Sequence, residues 1–162
     1  MSELDAIDIS IIEALQRNGR VTQVEISREV GLAPSAVLER IRKLEARGVI
    51  RGYTALVSPR AVGLGMLAFV AVRTKEAPEE EDSVAASLGQ VPEVLEVHHV
   101  AGDDCFLVKV RARDAEHLGE LLKGRIGRIS GVRSTRTTIV LGTLKETQQL
   151  PMPDAPAEQA AS

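Results

Sequence analysis

The chain has 162 residues, of which 44% are hydrophobic and 27% charged, with a formal net charge of −3 and one cysteine. These values are typical of a globular protein with one domain or two small ones. No apolar run is long enough to span a bilayer, the acidic first ten residues are unlike a secretory signal, and a lone cysteine excludes an internal disulfide. We therefore expect a protein of the reducing cytoplasm.

Two short helices are predicted near the N-terminus. Residues 5–18 have apolar side chains at helical spacing, an aspartate suited to the N-cap at their start and an Asn-Gly stop signal at their end. A second helix is predicted from Thr22, because T-Q-V-E places Glu25 where a capping box requires an acid. This helix should end at Gly31.

A third helix is predicted over residues 34–47, with Pro34 at its first position and Val37, Ile41 and Leu44 facing inward. It carries four cations and two anions, which suits a surface that meets phosphate. An ordinary amphipathic surface helix of mixed charge would show the same sequence pattern. A short helix, a turn containing glycine and a longer basic helix together, however, indicate a helix-turn-helix.

The segment after this helix predicts a wing. Residues 51–57 alternate like a strand pair, with Arg51 placed to contact a phosphate, and residues 53–65 are interpreted as a linker strand. The DNA-binding domain is thereby assigned to residues 1–52, which carry equal numbers of acids and bases. That balance attracts DNA only weakly, so we expect binding to need more than one copy.

The hydrophobic period then changes from about 3.6 to 2, which marks a second domain over residues 66–146. Its elements follow the order β-α-β-β-α-β of the ferredoxin-like arrangement, a four-stranded antiparallel sheet with helices on one face. The other face would expose apolar side chains, which predicts association as a two-fold dimer. Residues 147–162 are rich in Pro and Ala and are predicted to be disordered.

Six stretches resemble a known family. They are L-D-A-I-D-I-S-I-I (4–12), N-G-R (18–20), V-G-L-A-P-S-A-V-L-E-R-I-R-K-L-E (30–45), G-V-I-R-G-Y-T-A-L (48–56), A-G-D-D-C-F-L-V-K-V (101–110) and T-R-T-T-I-V-L (135–141). With these motifs in this order, the chain resembles the Lrp/AsnC family, the leucine-responsive or feast/famine transcription regulators.

The resemblance implies an α+β protein in which an N-terminal winged helix-turn-helix is joined by a strand linker to a C-terminal ferredoxin-like domain. It also implies homodimers that assemble into tetramers or octamers. An amino-acid effector is implied between dimers, near Gly102 and the start of the last strand. The chain departs from the family's usual residues at Ala33, where Ser is common, and at Asp104 and Cys105.

The predicted function is a sequence-specific DNA-binding transcriptional regulator that responds to an amino acid or a related metabolite. Its partner would be double-stranded DNA, contacted by the basic helix, the turn before it and the wing. The predicted DNA contacts are Arg20, Thr22, Gln23, Ser35, Ala36, Glu39, Arg40, Arg42, Lys43 and Arg51.

A zwitterionic effector needs an acceptor for its ammonium group and donors for its carboxylate. Asp103 or Asp104 is predicted as the acceptor, and the Gly102 N–H with the hydroxyls of Thr135 or Thr137 as donors. The pocket for the effector's side chain is predicted to include His99, Cys105 and Ile139. The two aspartates fit a plain hairpin turn equally well, and the threonines are common strand residues.

Metal binding is not predicted, although the chain has His98, His99, Cys105 and His117. Adjacent histidines on a strand point to opposite faces and do not share an ion with the cysteine. We predict no cofactor and no enzyme activity, because no nucleophile is paired with a base. The alternatives are a nucleoid-associated protein that packs DNA, or an enzyme of the related siroheme decarboxylase type.

Overall fold

The computed structural model describes residues 4–75 and 78–153. It divides the chain into two compact units, one formed by Met1–Ala55 with Glu146–Ser162 and the other by Leu56–Lys145. The first boundary lies close to the predicted one, but the C-terminal residues belong to the first unit. No helix among the described residues is long and apolar enough to cross a membrane.

The first unit contains three helices, α1 (Ala6–Arg17), α2 (Gln23–Val30) and α3 (Pro34–Ala46). Thr22 and Glu25 form the predicted capping box at the start of α2. Gly31 ends α2 in the left-handed conformation, with a φ of 70°. The side chains that are almost fully buried between the three helices are those of Ile11, Ile26, Val37 and Leu44. The helix-turn-helix predicted from the sequence is confirmed.

The start of α3 lacks a side-chain cap. Ala33 occupies the N-cap with an extended backbone, φ −67° and ψ 145°. Its methyl side chain makes no capping hydrogen bond to the N–H groups of the first turn. A serine hydroxyl in this position would accept from a free N–H of the first turn. We expect Ala33→Ser to raise the free energy of unfolding of the first unit by about 0.5–1 kcal/mol, measured by thermal denaturation. The control Ala46→Ser, in the last turn of α3, should produce no increase.

The predicted wing and linker strand do not form within the chain. Residues 51–65 contain no strand, and Tyr53, Leu56 and Val57 expose more than half of their surface. A strand requires a neighbour that pairs with its backbone groups, and no described segment pairs with this one. The alternating pattern of these residues therefore predicted a strand whose partner this single chain does not supply.

The second unit is a four-stranded antiparallel sheet with helices on one face. Its elements are β1 (Met66–Thr74), α4 (Pro78–Gly89), β2 (Val94–His99), β3 (Phe106–Ala112), α5 (Ala115–Glu120) and β4 (Val132–Ile139). The strand order is β2-β3-β1-β4, and each neighbouring pair is antiparallel. This is the predicted ferredoxin-like topology.

The two faces of the sheet differ in what covers them. On the helix side, Val70, Val72 and Val108 are fully buried against the helices. The opposite face, which we call the open face, carries the alternating residues of β1 and β3, and Phe69 and Leu107 remain partly exposed on it. This is the apolar face that the sequence predicted to associate with a second copy.

The last helical segment changes its winding. The apolar spacing after Asp114 fits one continuous helix as far as Ile129, but α5 ends at Glu120 and continues as a π-helical stretch, Leu121–Arg125, and a 3₁₀ turn, Ile126–Arg128. The change of winding keeps Leu118, Leu121 and Ile126 buried against the sheet. Sequence spacing does not reveal this change, because the apolar residues after Asp114 also fit the period of one regular α-helix.

The C-terminal segment, which is described as far as residue 153, contacts the helices of the first unit. The side chain of Gln16 in α1 accepts from the N–H of Leu150 at 2.7 Å and donates to its carbonyl oxygen at 3.0 Å. Gln149 donates to the Gln16 carbonyl at 2.9 Å, and Met152 packs against the helical core. The predicted disorder is therefore wrong for residues 149–152. Residues 154–162 of the predicted tail lie outside the described residues.

Candidate DNA interface and effector site

The outer side of α3 carries most of the predicted DNA contacts. Ser35, Glu39, Arg42 and Lys43 are exposed, and Ala36 in the first turn is half-buried. Lys43 and Glu39 form an (i, i+4) ion pair at 2.7 Å, with about two thirds of each side chain exposed. Such a pair contributes little and separates readily, so Lys43 remains available to an anionic partner.

Arg40 differs from the expectation of a free cation. Its Nη1 donates to Asp5 Oδ2 and to Asp8 Oδ1, both at 2.7 Å, and only 31% of its side chain is exposed. Burial raises the pKa of the Asp5 carboxyl, but the Asp8 N–H and the Arg40 guanidinium lower it more, so that its pKa lies below the ordinary value. Arg40 therefore joins α3 to the start of α1.

Three other predicted contacts, Arg20, Gln23 and Arg51, are exposed on the flanks of the helix-turn-helix. Thr22 is different, because its hydroxyl donates to Glu25 at 2.8 Å and accepts from the Glu25 N–H at 3.2 Å. Those bonds cap α2 and leave the hydroxyl less free to contact a phosphate.

Tyr53 was not predicted to have a role in this unit. Its hydroxyl donates to Glu45 Oε1 at 3.0 Å, and burial together with that carboxylate raises its pKa to about 12. This bond ties the segment after Arg51 to the end of α3. The alternation of residues 51–57 indicated a strand but not this contact, because the partner lies on another element.

The predicted effector residues around the β2–β3 hairpin are held by two arginines that the sequence reasoning missed. Arg73 Nε donates to the Asp103 carbonyl at 2.8 Å, and Arg136 pairs with Asp104 at 2.7 Å. Arg136 keeps 79% of its side chain exposed, whereas Asp104 keeps 23%. The structure thus brings one half-buried carboxylate and one exposed guanidinium together at this corner of the sheet.

Cys105 faces the helix side at the same corner. Its N–H donates to the Val72 carbonyl at 2.9 Å, and its sulfur lies 3.0 Å from the Thr74 hydroxyl oxygen. The hairpin is therefore fastened to the end of β1 by both backbone and side chain. Gly102 supports the turn with a φ of 128°, which favours glycine.

The predicted threonines lie on the other face of the sheet from Arg136. Thr135 pairs with Val72 and Thr137 with Val70, two residues buried on the helix side, whereas Arg136 pairs with Ala71. Residues directly opposite each other on neighbouring strands share a face. Ile139 lies on the helix side too, four residues from Thr135. The structure therefore does not gather the predicted effector set into one pocket.

The histidines occupy opposite faces of β2, as the alternation predicted. His99 packs its ring 5.3 Å from that of Phe106, with its Nε2 3.5 Å from Glu81 Oε2. His98 lies 3.1 Å from Glu96 on the open face. Across the part of the chain that the structure describes, no cluster of three or more His, Cys, Asp or Glu could hold a metal ion.

A capped helix-turn-helix with a basic outer side, in a chain with a ferredoxin-like sheet domain, defines a two-domain DNA-binding protein. Residues 4–51 match the family model described as winged helix-turn-helix DNA-binding, and residues 67–150 match that of the Lrp/AsnC ligand binding domain. The chain therefore belongs to the Lrp/AsnC family of transcriptional regulators, as its motifs predicted.

Two relatives in sequence are named as regulators. The chain is 46% identical over 149 residues to the HTH-type transcriptional regulator FL11 of Pyrococcus horikoshii, covering 92% of this chain and 97% of that protein. It is 38% identical over 149 residues to the leucine-responsive regulatory protein of Escherichia coli, covering 91% of both.

Two solved structures of similar fold are complexes with L-methionine. A transcriptional regulator from Neisseria meningitidis has a TM-score of 0.87 and 36% identity, covering 92% of this chain and 97% of that one. A feast or famine regulatory protein from M. tuberculosis has a TM-score of 0.84 and 39% identity, covering 91% and 99%.

Proposed function

We propose that this Lrp/AsnC regulator binds DNA sequence-specifically through α3 and that an amino acid changes its DNA affinity or its assembly. The observation that carries the proposal is the exposed outer side of α3, with Arg42 and Lys43 facing solvent behind a capped helix-turn-helix. A major groove about 12 Å wide admits such a helix, and the small Ser35 and Ala36 allow its first turn close to base edges.

Two further exposed cations, Arg20 and Arg51, fit phosphate contacts on either side of the groove. Arg20 precedes α2 and Arg51 follows α3, so they flank the helix that would lie in the groove. Phosphate contacts fix register, whereas contacts from the first turn of α3 read the base sequence. Glu39 would contribute to sequence readout by accepting from a cytosine amino group.

For the effector we propose an α-amino acid bound at the hairpin corner. Its carboxylate would pair with the exposed Arg136, and its ammonium group with Asp104 or the neighbouring Asp103. The two complexes with L-methionine support this class of ligand. The opposite charges of Arg136 and Asp104 lie 2.7 Å apart. Their closeness matches an α-amino acid, whose ammonium and carboxylate groups are attached to the same carbon.

We propose that the protein acts as a homodimer that assembles further, to a tetramer or octamer, in the cytoplasm on the nucleoid. The partly exposed apolar side chains of the open face and the unpaired segment 53–57 support association between copies. Because the two sequence relatives are named as regulators, we propose a regulatory and not an enzymatic role.

Fluorescence anisotropy with a duplex selected from a random pool, repeated with each proteinogenic amino acid, tests this proposal. We expect L-methionine or another apolar amino acid to change the DNA affinity. The Arg136→Ala variant should need at least about tenfold more effector, because it loses a charge-assisted hydrogen bond. The control Arg133→Ala removes an exposed cation from the same strand and should respond like the unmodified protein. If no amino acid altered affinity or particle mass, the effector proposal would be wrong.

A further inference from the structure

We infer that Arg40 is a positioning residue for DNA binding, which holds α1 against α3 and does not itself contact phosphate. The inference rests on the proposed DNA-binding function and assigns Arg40 a different role from that of its neighbours Arg42 and Lys43. All three are cations on α3, so the sequence pattern alone does not separate them.

The carboxylates that hold Arg40 belong to the first turn of another helix. Asp5 uses one oxygen to accept from Arg40 and the other to accept from the Asp8 N–H at 2.7 Å, which caps α1. Asp8 has only 11% of its side chain exposed. The cap of α1 and the tie to α3 therefore share one carboxylate, and a change at Arg40 reaches the start of α1 directly.

The charges of this cluster oppose a phosphate contact. One guanidinium between two carboxylates leaves a net charge of −1, so a phosphate that approached Arg40 would be repelled by Asp5 and Asp8. The hydrogen bonds to those two carboxylates raise the pKa of Arg40. To bind phosphate, Arg40 would have to give up charge-assisted bonds that are already made.

The packing around Arg40 shows why a polar tie matters here. A cavity of about 260 Å³ lies between α1 and α3, lined by Asp8, Ala36, Arg40, Lys43 and Leu44 among others. Apolar side chains do not fill this side of the contact, whereas the opposite side is closed by the core around Ile11 and Val37. The Arg40 bonds span the unfilled side and restrict how far α3 tilts on the core.

The Asp8→Asn variant separates the two roles by the sign of its effect. If Arg40 positions α3, losing the buried carboxylate loosens the helix and lowers the affinity for the selected duplex by about tenfold. If Arg40 were a phosphate contact held back by Asp8, the same change would release it and raise the affinity. An increase would therefore overturn the inference.

The salt dependence of binding provides a second readout, with Arg40→Gln compared to Arg42→Gln. The plot of log affinity against log salt has a negative slope, whose magnitude decreases by about 0.9 for each phosphate contact removed. We expect Arg42→Gln to reduce the slope, and Arg40→Gln to lower affinity while leaving the slope unchanged. A reduced slope for Arg40→Gln would contradict the inference.

Hydrogen exchange in the full chain, measured without DNA, keeps the inference separate from the proposed function. Arg40→Gln and the milder Arg40→Lys, which keeps the charge, should speed exchange in the first turns of α1, whereas Arg42→Gln should not. If the unmodified protein bound no duplex, the DNA-binding proposal would fail and the exchange would still test the tie. Unchanged exchange in α1 for both Arg40 variants would refute it.

Discussion

The Phe69→Glu variant is expected to be monomeric and to bind DNA about a hundredfold more weakly than the unmodified protein. Phe69 lies on β1 in the middle of the open face, where its pairing partners are Lys109 on β3 and Thr138 on β4. Association through this face would bury the new carboxylate among apolar side chains such as Leu107. Lys109 already pairs with Glu96 at 3.2 Å, so the new carboxylate would be buried without a cation of its own, and the dimer should not form.

The loss of DNA affinity follows from the charge of the first unit. Its predicted DNA-binding residues, 1–52, carry equal numbers of acids and bases, so a single copy attracts the duplex weakly. Joining two copies makes the second contact intramolecular, which multiplies affinity without any new interaction. Light scattering after size exclusion measures the particle mass, and anisotropy measures the DNA affinity of the same sample.

The matched control is Ala86→Glu, which adds the same charge at an exposed position of α4 on the helix side. It should keep both the mass and the DNA affinity of the unmodified protein. A Phe69→Glu particle of unchanged mass would show that the open face is not the association surface. If the Phe69→Glu variant kept its normal mass but bound DNA weakly, the loss of affinity would not result from loss of the dimer.

Elements governed by local signals were predictable from the sequence. The capping box of Thr22 and Glu25 acts within one helical turn, and Gly31 followed by Pro34 ends one helix and starts the next. The strand order also followed, because the β-α-β-β-α-β sequence of elements admits few topologies. The outward position of Arg42 could also be predicted, because helical spacing alone places it away from the buried residues of α3.

Contacts between distant elements were not predictable. The partners of Arg40 lie 32 and 35 residues earlier, and spacing within α3 gives no information about what its flank meets. In β4 the alternation separated Arg136 from Thr135 and Thr137, but only the register with β1 reveals which face each residue occupies. The predicted Thr135 and Thr137 therefore lie on the helix side, whereas the predicted Asp104 pairs with Arg136 of the open face.

The segment 51–57 illustrates a different limit. Its β-branched and alternating residues favour an extended strand, yet an extended segment becomes a strand only when its backbone groups are paired. Within the described chain, Tyr53 is held by Glu45 on α3 while Leu56 and Val57 stay exposed. The sequence pattern predicts that such a segment prefers an extended backbone, but it becomes a strand only where a second segment pairs with it.

Removal of residues 146–162 is expected to lower the free energy of unfolding of the first unit by about 2–4 kcal/mol. The deletion removes the three hydrogen bonds to Gln16 and the packing of Met152 on the helical core. The second unit, Leu56–Lys145, keeps its sheet and both helices and should retain its stability. The thermal transition of the first unit should therefore move to lower temperature, while that of the second unit stays unchanged.

Two variants separate the hydrogen bonds from the packing. Gln16→Ala removes the two bonds that its side chain makes with Leu150 but keeps Met152, so it should produce about half of the loss. Truncation after Pro153 keeps every described contact of this segment and serves as the control without an effect. Because Gln16 belongs to α1, exchange of the α1 amides in the truncated protein reports directly on the segment. If deletion from Glu146 left that exchange unchanged, the C-terminal residues would not support the helix-turn-helix in solution, and disorder would be the correct description of the whole tail.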